Sequence, residues 1–346
     1  MSRPVKIGDV AAAAGVSTTT VSHALNHKGR LTDGTRRRVR DVADRLGYRP
    51  SALARGLAGG RSGMLAVTVS FVDDLPLTIG DFDYFMQVLN AATSEAFERG
   101  FLLTLVPADS RREVLERTAL DGAIVMDPVR GDEIVGLLGE LMIPVVSTGR
   151  CPDGPDDACW VDNDQVAGTR AMIEHLAAEG ATRVALLTAP AFQSYTIDAL
   201  AAFESTCADL GLESMIETVT DSVSESGGYA AASRLLSSGR PPDAIYATLD
   251  RLALGALLAA EAKGIRVPEA LRVAGCTDSD AARSSRPMLT ALSVNPELIG
   301  TEAVDLLITL AEHGMPIDEP HRVVPFTVIP RASTQALVPS GTMSRA

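Results

Sequence analysis

Ala14-Gly15-Val16-Ser17-Thr18-Thr19-Thr20-Val21-Ser22-His23-Ala24-Leu25-Asn26 is the stretch on which the reading of this chain turns. Just before it, Ile7, Val10, Ala11 and Ala14 recur at i, i+3, i+4 and i+7, the apolar face of a short helix. Gly15 can turn the chain with positive φ, and Ser17 can cap a second helix by accepting from its free N–H groups. In that second helix Val21, Ala24 and Leu25 face one way, while Thr18, Thr19, Ser22 and His23 form the opposite, polar face. Short polar side chains near a helix N-terminus suit the edges of bases when the helix lies in a major groove. A third helix is expected from about Thr35 to Leu46, capped by Thr32, with Val39, Val42, Ala43 and Leu46 inward. Its arginines Arg36, Arg37, Arg38, Arg40 and Arg45 suit phosphates better than bases. A three-helix protein-interaction module would show the same periodicity.

Charge separates the two readings in part. The chain of 346 residues carries a net −13, with 31 Lys+Arg and 44 Asp+Glu. Residues 1–61 hold 12 Lys+Arg and 4 Asp+Glu, a net of +8, which leaves 19 against 40, a net of −21, for residues 62–346. A basic head on an acidic body is the footprint of a polyanion-binding module. The four cysteines, Cys151, Cys159, Cys207 and Cys276, form no CxxC pair, so neither a zinc site nor a redox motif is indicated and no metal is expected. They read as reduced, buried small hydrophobes; a Cys151–Cys159 disulfide is the alternative, disfavoured in a reducing compartment. No apolar run reaches the ~18 residues that span a bilayer, and the N-terminus leads into an amphipathic pattern instead of an export signal's apolar block. No membrane partner is expected, and the expected location is the cytoplasm, on nucleoid DNA.

The quoted stretch, with Val5-Lys6-Ile7-Gly8-Asp9-Val10-Ala11 before it and Leu46-Gly47-Tyr48-Arg49-Pro50 after it, closely resembles the LacI/GalR repressor family, in spacing and identity over roughly sixty positions. Ser17 to His23 is similar to the recognition helix of the purine-repressor branch. That resemblance implies that Thr18, Thr19 and His23 read bases, while Ser17, Ser22, Asn26, Thr35 and Arg37 hold the DNA backbone. Next comes Ser51-Ala52-Leu53-Ala54-Arg55-Gly56-Leu57-Ala58, too short for a stable isolated helix and weakened by Gly56 by about 1 kcal/mol against alanine. In the family this segment folds as the dimer docks. The resemblance places Leu53, Arg55 and Leu57 in the minor groove, with Leu57 wedged into the central base step. A plain linker is the alternative.

From Met64 onward short apolar runs alternate with helical patterns: Met64–Val69, Tyr84–Arg99, Leu102–Val106, Gly122–Met126, Pro144–Ser147, Gly168–Glu179, Val184–Thr188, Ala244–Ala247 and Val273–Gly275. Such alternation implies parallel sheets covered by helices, and the length suggests two Rossmann-like lobes. The expected fold is therefore an all-α helix-turn-helix head on an α/β body. No GxGxxG or Walker loop stands in the right context, nor a GxSxG elbow or zinc-protease helix, so an enzyme is poorly supported and no cofactor is expected. The family resemblance extends to the body more loosely, through Tyr84-Phe85 ahead of Arg99-Gly100-Phe101, Val161-Asp162-Asn163, Leu249-Asp250 and Pro330-Arg331-Ala332-Ser333-Thr334. It implies a periplasmic-binding-protein-like body that crosses between lobes near 162, 291 and 326, with an effector cleft between them. The expected divisions are 1–49 for the DNA-binding head, 50–61 for the hinge, 62–162 with 291–325 and 163–290 with 326–338 for the lobes, and 339–346 for a tail.

The candidate cleft residues are Phe85, Asp162, Tyr195, Tyr246, Asp250, Thr277 and Asp278, each with a plain packing or capping role as the alternative. The family's usual arginine, asparagine and first aspartate are replaced here by Ala199, Leu249 and Thr277, which puts a sugar ligand in doubt, and the segment between Ala108 and Asp121 is shorter than usual. The leading expectation is a homodimeric repressor of a palindromic operator with a central CG step, controlled by a small-molecule effector such as a sugar or nucleobase. An effector-independent repressor, a solute-binding protein and an enzyme of the two-lobed fold are the alternatives.

Overall fold

The computed structural model describes residues 5–25, 29–48, 61–70 and 82–335. The chain divides into two units, Met1–Gly63 and Met64–Ala346. In the first, α1 (Ile7–Ala14), α2 (Thr18–Leu25) and α3 (Asp33–Leu46) surround a small core of Val10, Ala11, Ala14, Val21, Ala24, Val39, Val42 and Ala43. Gly15 ends α1 at φ 64°, where a side chain would be strained. Ser17 Oγ then accepts from Thr20 N at 3.1 Å to open α2. Thr32 Oγ1 accepts from Thr35 N at 3.3 Å, so α3 starts at Asp33, ahead of the expected Thr35. Leu46, expected inward, is 38% exposed at the end of that helix.

Among the described residues the second unit holds two six-stranded sheets, each covered by helices. The first is built from β1 (Met64–Val69), β2 (Leu102–Leu105), β3 (Gly122–Met126), β4 (Val145–Thr148), β5 (Cys159–Asn163) and β11 (His321–Val324), in the order β11-β5-β4-β3-β1-β2 and parallel throughout. The second uses β6 (Arg183–Thr188), β7 (Glu213–Thr218), β8 (Ala244–Ala247), β9 (Arg272–Cys276), β10 (Thr290–Ser293) and β12 (Thr327–Ile329), in the order β12-β10-β9-β8-β6-β7. Only β12 runs antiparallel to its neighbour there. Strands β1, β3, β6 and β8 read as near-continuous apolar runs because both their faces are covered. The edge strand β7 mixes exposed Glu213, Ser214, Ile216 and Thr218 with half-buried Met215 and Glu217, which hides it from any search for apolar runs.

The expected boundary at 291 moves. Residues 290–293 form β10 of the second sheet, where Leu292 is packed into the core with Met172, Leu186 and Phe203. The chain returns to the first lobe only at Val294 and Asn295, which lead into α12 (Pro296–His313). Asn163 likewise still belongs to β5. The last crossing lies between β11 and β12.

Close helix contacts hold each lobe. The first lobe packs α4 (Phe82–Glu98) against α12, and the second packs α9 (Glu225–Leu236) against α10 (Asp250–Ala262). In the second pair the backbones touch: a Cβ at Gly255 would lie 2.3 Å from Glu225 O, and one at Gly228 2.5 Å from Leu252 O. Gly255→Ala should therefore destabilise the protein by about 1–3 kcal/mol through forced separation of the helices. By contrast Gly136, exposed in α6 (Glu133–Glu140) with open space where a Cβ would stand, should gain about 0.5–1 kcal/mol on Gly136→Ala. Denaturant melts of the two variants should move in opposite directions.

Candidate functional site

Two surfaces carry the candidate residues. On the head, packing decides what is free. Val21 and Ala24 are buried against α1 and α3, which turns Ser17, Thr18 and Thr19 fully outward and leaves Ser22 and His23 half-buried beside them. The His23 ring packs against Gly29, where a Cβ would come within 2.7 Å of Nδ1. Arg36 is occupied structurally, donating to Gly29 O at 2.8 Å and His23 O at 3.4 Å, so it clamps the turn behind α2 instead of presenting a free phosphate contact. Arg37, Arg38 and Arg40 remain exposed along α3. Thr35 is half-buried with its hydroxyl 2.9 Å from that of Thr32. Asn26, Leu53, Arg55 and Leu57 lie outside the described residues.

On the body, the carboxyl ends of strands from both sheets converge on a cavity of about 330 Å³, near the lower end of the ~300–1,000 Å³ typical of ligand pockets. Ser70 follows β1, Asp127 follows β3, Asn163 ends β5, Thr248 follows β8, Thr277 follows β9 and Val294 follows β10, and all six line it. Crevices at the carboxyl ends of parallel strands are where open α/β sheets bind ligands. Of the expected cleft residues, Phe85, Asp162, Tyr195, Asp250 and Thr277 line this cavity. Tyr246 and Asp278 do not. Tyr246 is fully buried in the second lobe's core with its hydroxyl among Thr169, Gln165 and Cys276. Asp278 is turned into an ion pair with Arg331 at 2.6 Å and with Arg283 at 3.2 Å. Ala199, where the family carries arginine, is fully buried in α8 (Ser194–Leu210).

The acids on the wall are held in distinct ways. Asp162 accepts from the backbone N–H of Asn163 at 2.7 Å and of Arg150 at 3.2 Å, yet burial outweighs these bonds and raises its pKa to about 6. Arg150 itself is drawn to Asp198. Asp250 is 4% exposed; its Oδ2 accepts from Thr277 Oγ1 at 3.1 Å and Ser279 N at 2.6 Å, and burial again lifts its pKa to about 6. Thr277 and Asp278 are held at φ 100° and 61°, a strained turn that places the Thr277 hydroxyl on Asp250. Asp127 went unnoticed in the sequence. It opens to the cavity but is otherwise enclosed by protein; burial, with Asp162 nearby, raises its pKa to about 8, so it is chiefly protonated at neutral pH. Its φ of 49° is uncommon for a non-glycine residue. Position offered the one available signal, since Asp127 is the first residue beyond an apolar strand. Tyr84, half of the aromatic pair at the start of α4, stands edge-on to Phe85 at 5.5 Å, and its hydroxyl is pushed up by burial, with Asp127 and Asp162 adding to the rise. All four cysteines are free, and burial pushes Cys276 up to about 12. Among the described residues no helix is long and apolar enough to cross a membrane.

Comparison with known proteins covers both surfaces. Residues 6–51 match the model for bacterial regulatory proteins of the lacI family, and residues 173–334 match the periplasmic binding protein-like domain. The HTH-type transcriptional regulator CelR of Thermobifida fusca is 30% identical over 308 residues, spanning 86% of this chain and 89% of that protein. The HTH-type transcriptional repressor PurR of Mannheimia succiniciproducens is 29% identical over 316 residues, 89% of this chain and 92% of that one. Among solved structures, a CelR–cellobiose complex superposes with a TM-score of 0.71 at 25% identity, covering 96% of this chain and 100% of the other. A lac repressor dimer bound to operator and the anti-inducer ONPF superposes at 0.80 and 24% identity over the same shares, a likeness of fold.

Asp127 sets a measurable pH dependence. Below the ordinary aspartate value near 3.8 both folded and unfolded chains hold its proton; between there and about 8 only the folded chain does. Its contribution to folding stability therefore falls as pH rises through that window and levels off above it. Asp127→Asn removes this loss and also eases the left-handed backbone, which asparagine tolerates. The variant should melt several degrees above the parent at neutral pH, with the gap narrowing below about pH 4, as followed by calorimetry.

Proposed function

The chain belongs to the LacI family of bacterial regulators, and from that premise we propose that it is a homodimeric repressor of a palindromic operator, governed by a small effector in the cavity between its lobes. Sequence-specific DNA binding in transcription control is the function, and no catalysis is assigned to it. The observation that carries the reading is the outward polar face of α2, exposed at Thr18 and Thr19, on a head with a net charge of +8 over residues 1–61. Thr18, Thr19 and His23 read base edges; Ser17, Ser22, Asn26, Thr35 and Arg37 fix the register on phosphates. Leu53, Arg55 and Leu57 enter the minor groove, with Leu57 as the wedge. The protein works in the cytoplasm, on nucleoid DNA. The structural relatives are bound to cellobiose and to the anti-inducer ONPF. Here the cavity supplies the corresponding place, and closure of the lobes on an effector shifts the pairing of the hinge segments, provided the effector binds the two states with different affinity. One observation favours an effector-independent variant: a buried alanine, Ala199, stands where the family has arginine.

Selection from random DNA with the full-length protein should enrich a palindrome with a central CG step, in a salt-dependent manner; enrichment of no palindrome would overturn the reading. Thr18→Ala or His23→Ala should cost about 1–3 kcal/mol and relax preference at single positions, whereas Arg37→Ala should weaken all sequences alike and lower the salt slope by about one. Leu57→Ala should lower operator affinity in a fluorescence titration while leaving the melting temperature of the free protein nearly unchanged.

A further inference from the structure

The cavity's chemistry points to what fills it, an argument that rests on the reading of this cleft as an effector site. Asp127, Asp162 and Asp250 lie within its wall and Asp83 and Glu225 stand exposed on it, while Arg251 is the one cationic lining residue among the described residues. Two polar atoms of lining residues are buried without a hydrogen-bond partner: Oγ of Ser70, a residue 5% exposed, and Oδ1 of Asp250, a residue 4% exposed. An unpartnered buried polar atom costs about 1–3 kcal/mol, and an ionised carboxylate can only accept. Five carboxyls face one guanidinium on this wall. The aromatic rings of Tyr84, Phe85 and Tyr195 complete it, and ring faces attract cations.

We propose that the effector is a small organic cation, a compact molecule with at least one ammonium or amidinium group set among Asp127, Asp162 and Asp250. The cation donates to these carboxyls and offsets the negative charge that burial penalises. Asp127, which interacts with Asp162 on β5 and Tyr84 on α4, with Tyr195 on α8 beyond Tyr84 and the Arg150–Asp198 pair beyond Asp162, gives its proton to solvent as the cation enters.

Full-length protein is titrated by calorimetry and thermal shift with probes matched in shape and different in charge: glucosamine, glucose and glucuronate on one ring, and putrescine against butanediol on a linear chain. The cationic member of at least one set should bind about tenfold or more tighter than its neutral partner. Putrescine, which keeps its protons throughout, should gain affinity as pH rises toward about 8, where Asp127 ionises. Asp127→Asn, which should fold, should lose that pH dependence and most of the preference for charge. The inference is overturned if no cation shifts the melting temperature beyond its neutral partner, or if glucose or glucuronate binds as well as glucosamine and butanediol as well as putrescine. The palindrome selection separates the two readings: a chain that binds its palindrome but shows no charge preference refutes this inference alone, whereas one that binds no palindrome refutes the repressor reading.

Discussion

A single amide joins the three places where the chain passes between its lobes. Asn163 Nδ2 donates to Val294 O at 3.1 Å and to Val324 O at 2.9 Å, so the end of β5 is tied to the residue after β10 and to the end of β11. Asn295, beside the second crossing, adds a bond from its own Nδ2 to Pro325 O at 2.5 Å. Each such bond contributes about 0.5–1.5 kcal/mol net, and losing the amide would orphan two carbonyls at once. The three crossings are thereby held as one joint, and every lobe element is placed relative to it. Asn163 also lines the cavity. A ligand on that wall is one side chain away from the joint.

The same wall is where the structure departs from relaxed geometry. Asp127 and Thr277 hold positive φ without being glycine, and Asp127, Asp162 and Asp250 are carboxyls that burial pushes toward the neutral form. Elsewhere, apart from positive φ at Met142 and Asn295, the lobes follow local rules: apolar parallel strands, capped helices, and glycines such as Gly228 and Gly255 where helices touch. Strain and unfavourable charge persist only where surrounding packing enforces them, and they gather at sites of function. Such a wall is less stable empty than it could be, and a ligand of complementary charge recovers part of that loss.

The head was legible nearly residue by residue, because its determinants are short-ranged. Gly15, Ser17 and Thr32 act on neighbours within three or four positions, and the inward Val10, Val21 and Val39 declare themselves by helical spacing. Two details escaped. Arg36 looked like its neighbouring arginines, but its guanidinium is taken by carbonyls of the turn across from it. Leu46 kept the apolar period yet lies exposed at the end of α3. In the body the alternation of strands and helices was readable, whereas the polar edge strand β7 and the place of β10 were not, since strand membership depends on which neighbour pairs with it.

Composition, periodicity and motif spacing alone established a basic three-helix head and an acidic two-lobed α/β body, while the replacements at Ala199, Leu249 and Thr277 came from the family resemblance. Only the tertiary structure removed Tyr246 and Asp278 from the cavity wall and brought in Ser70 and Asp127. The reason is physical. A helix cap or an apolar face is decided by residues a few positions apart, but a wall assembled from strand ends far apart in the chain, and the burial that shifts its carboxyls, exist only after the sheets have closed around them.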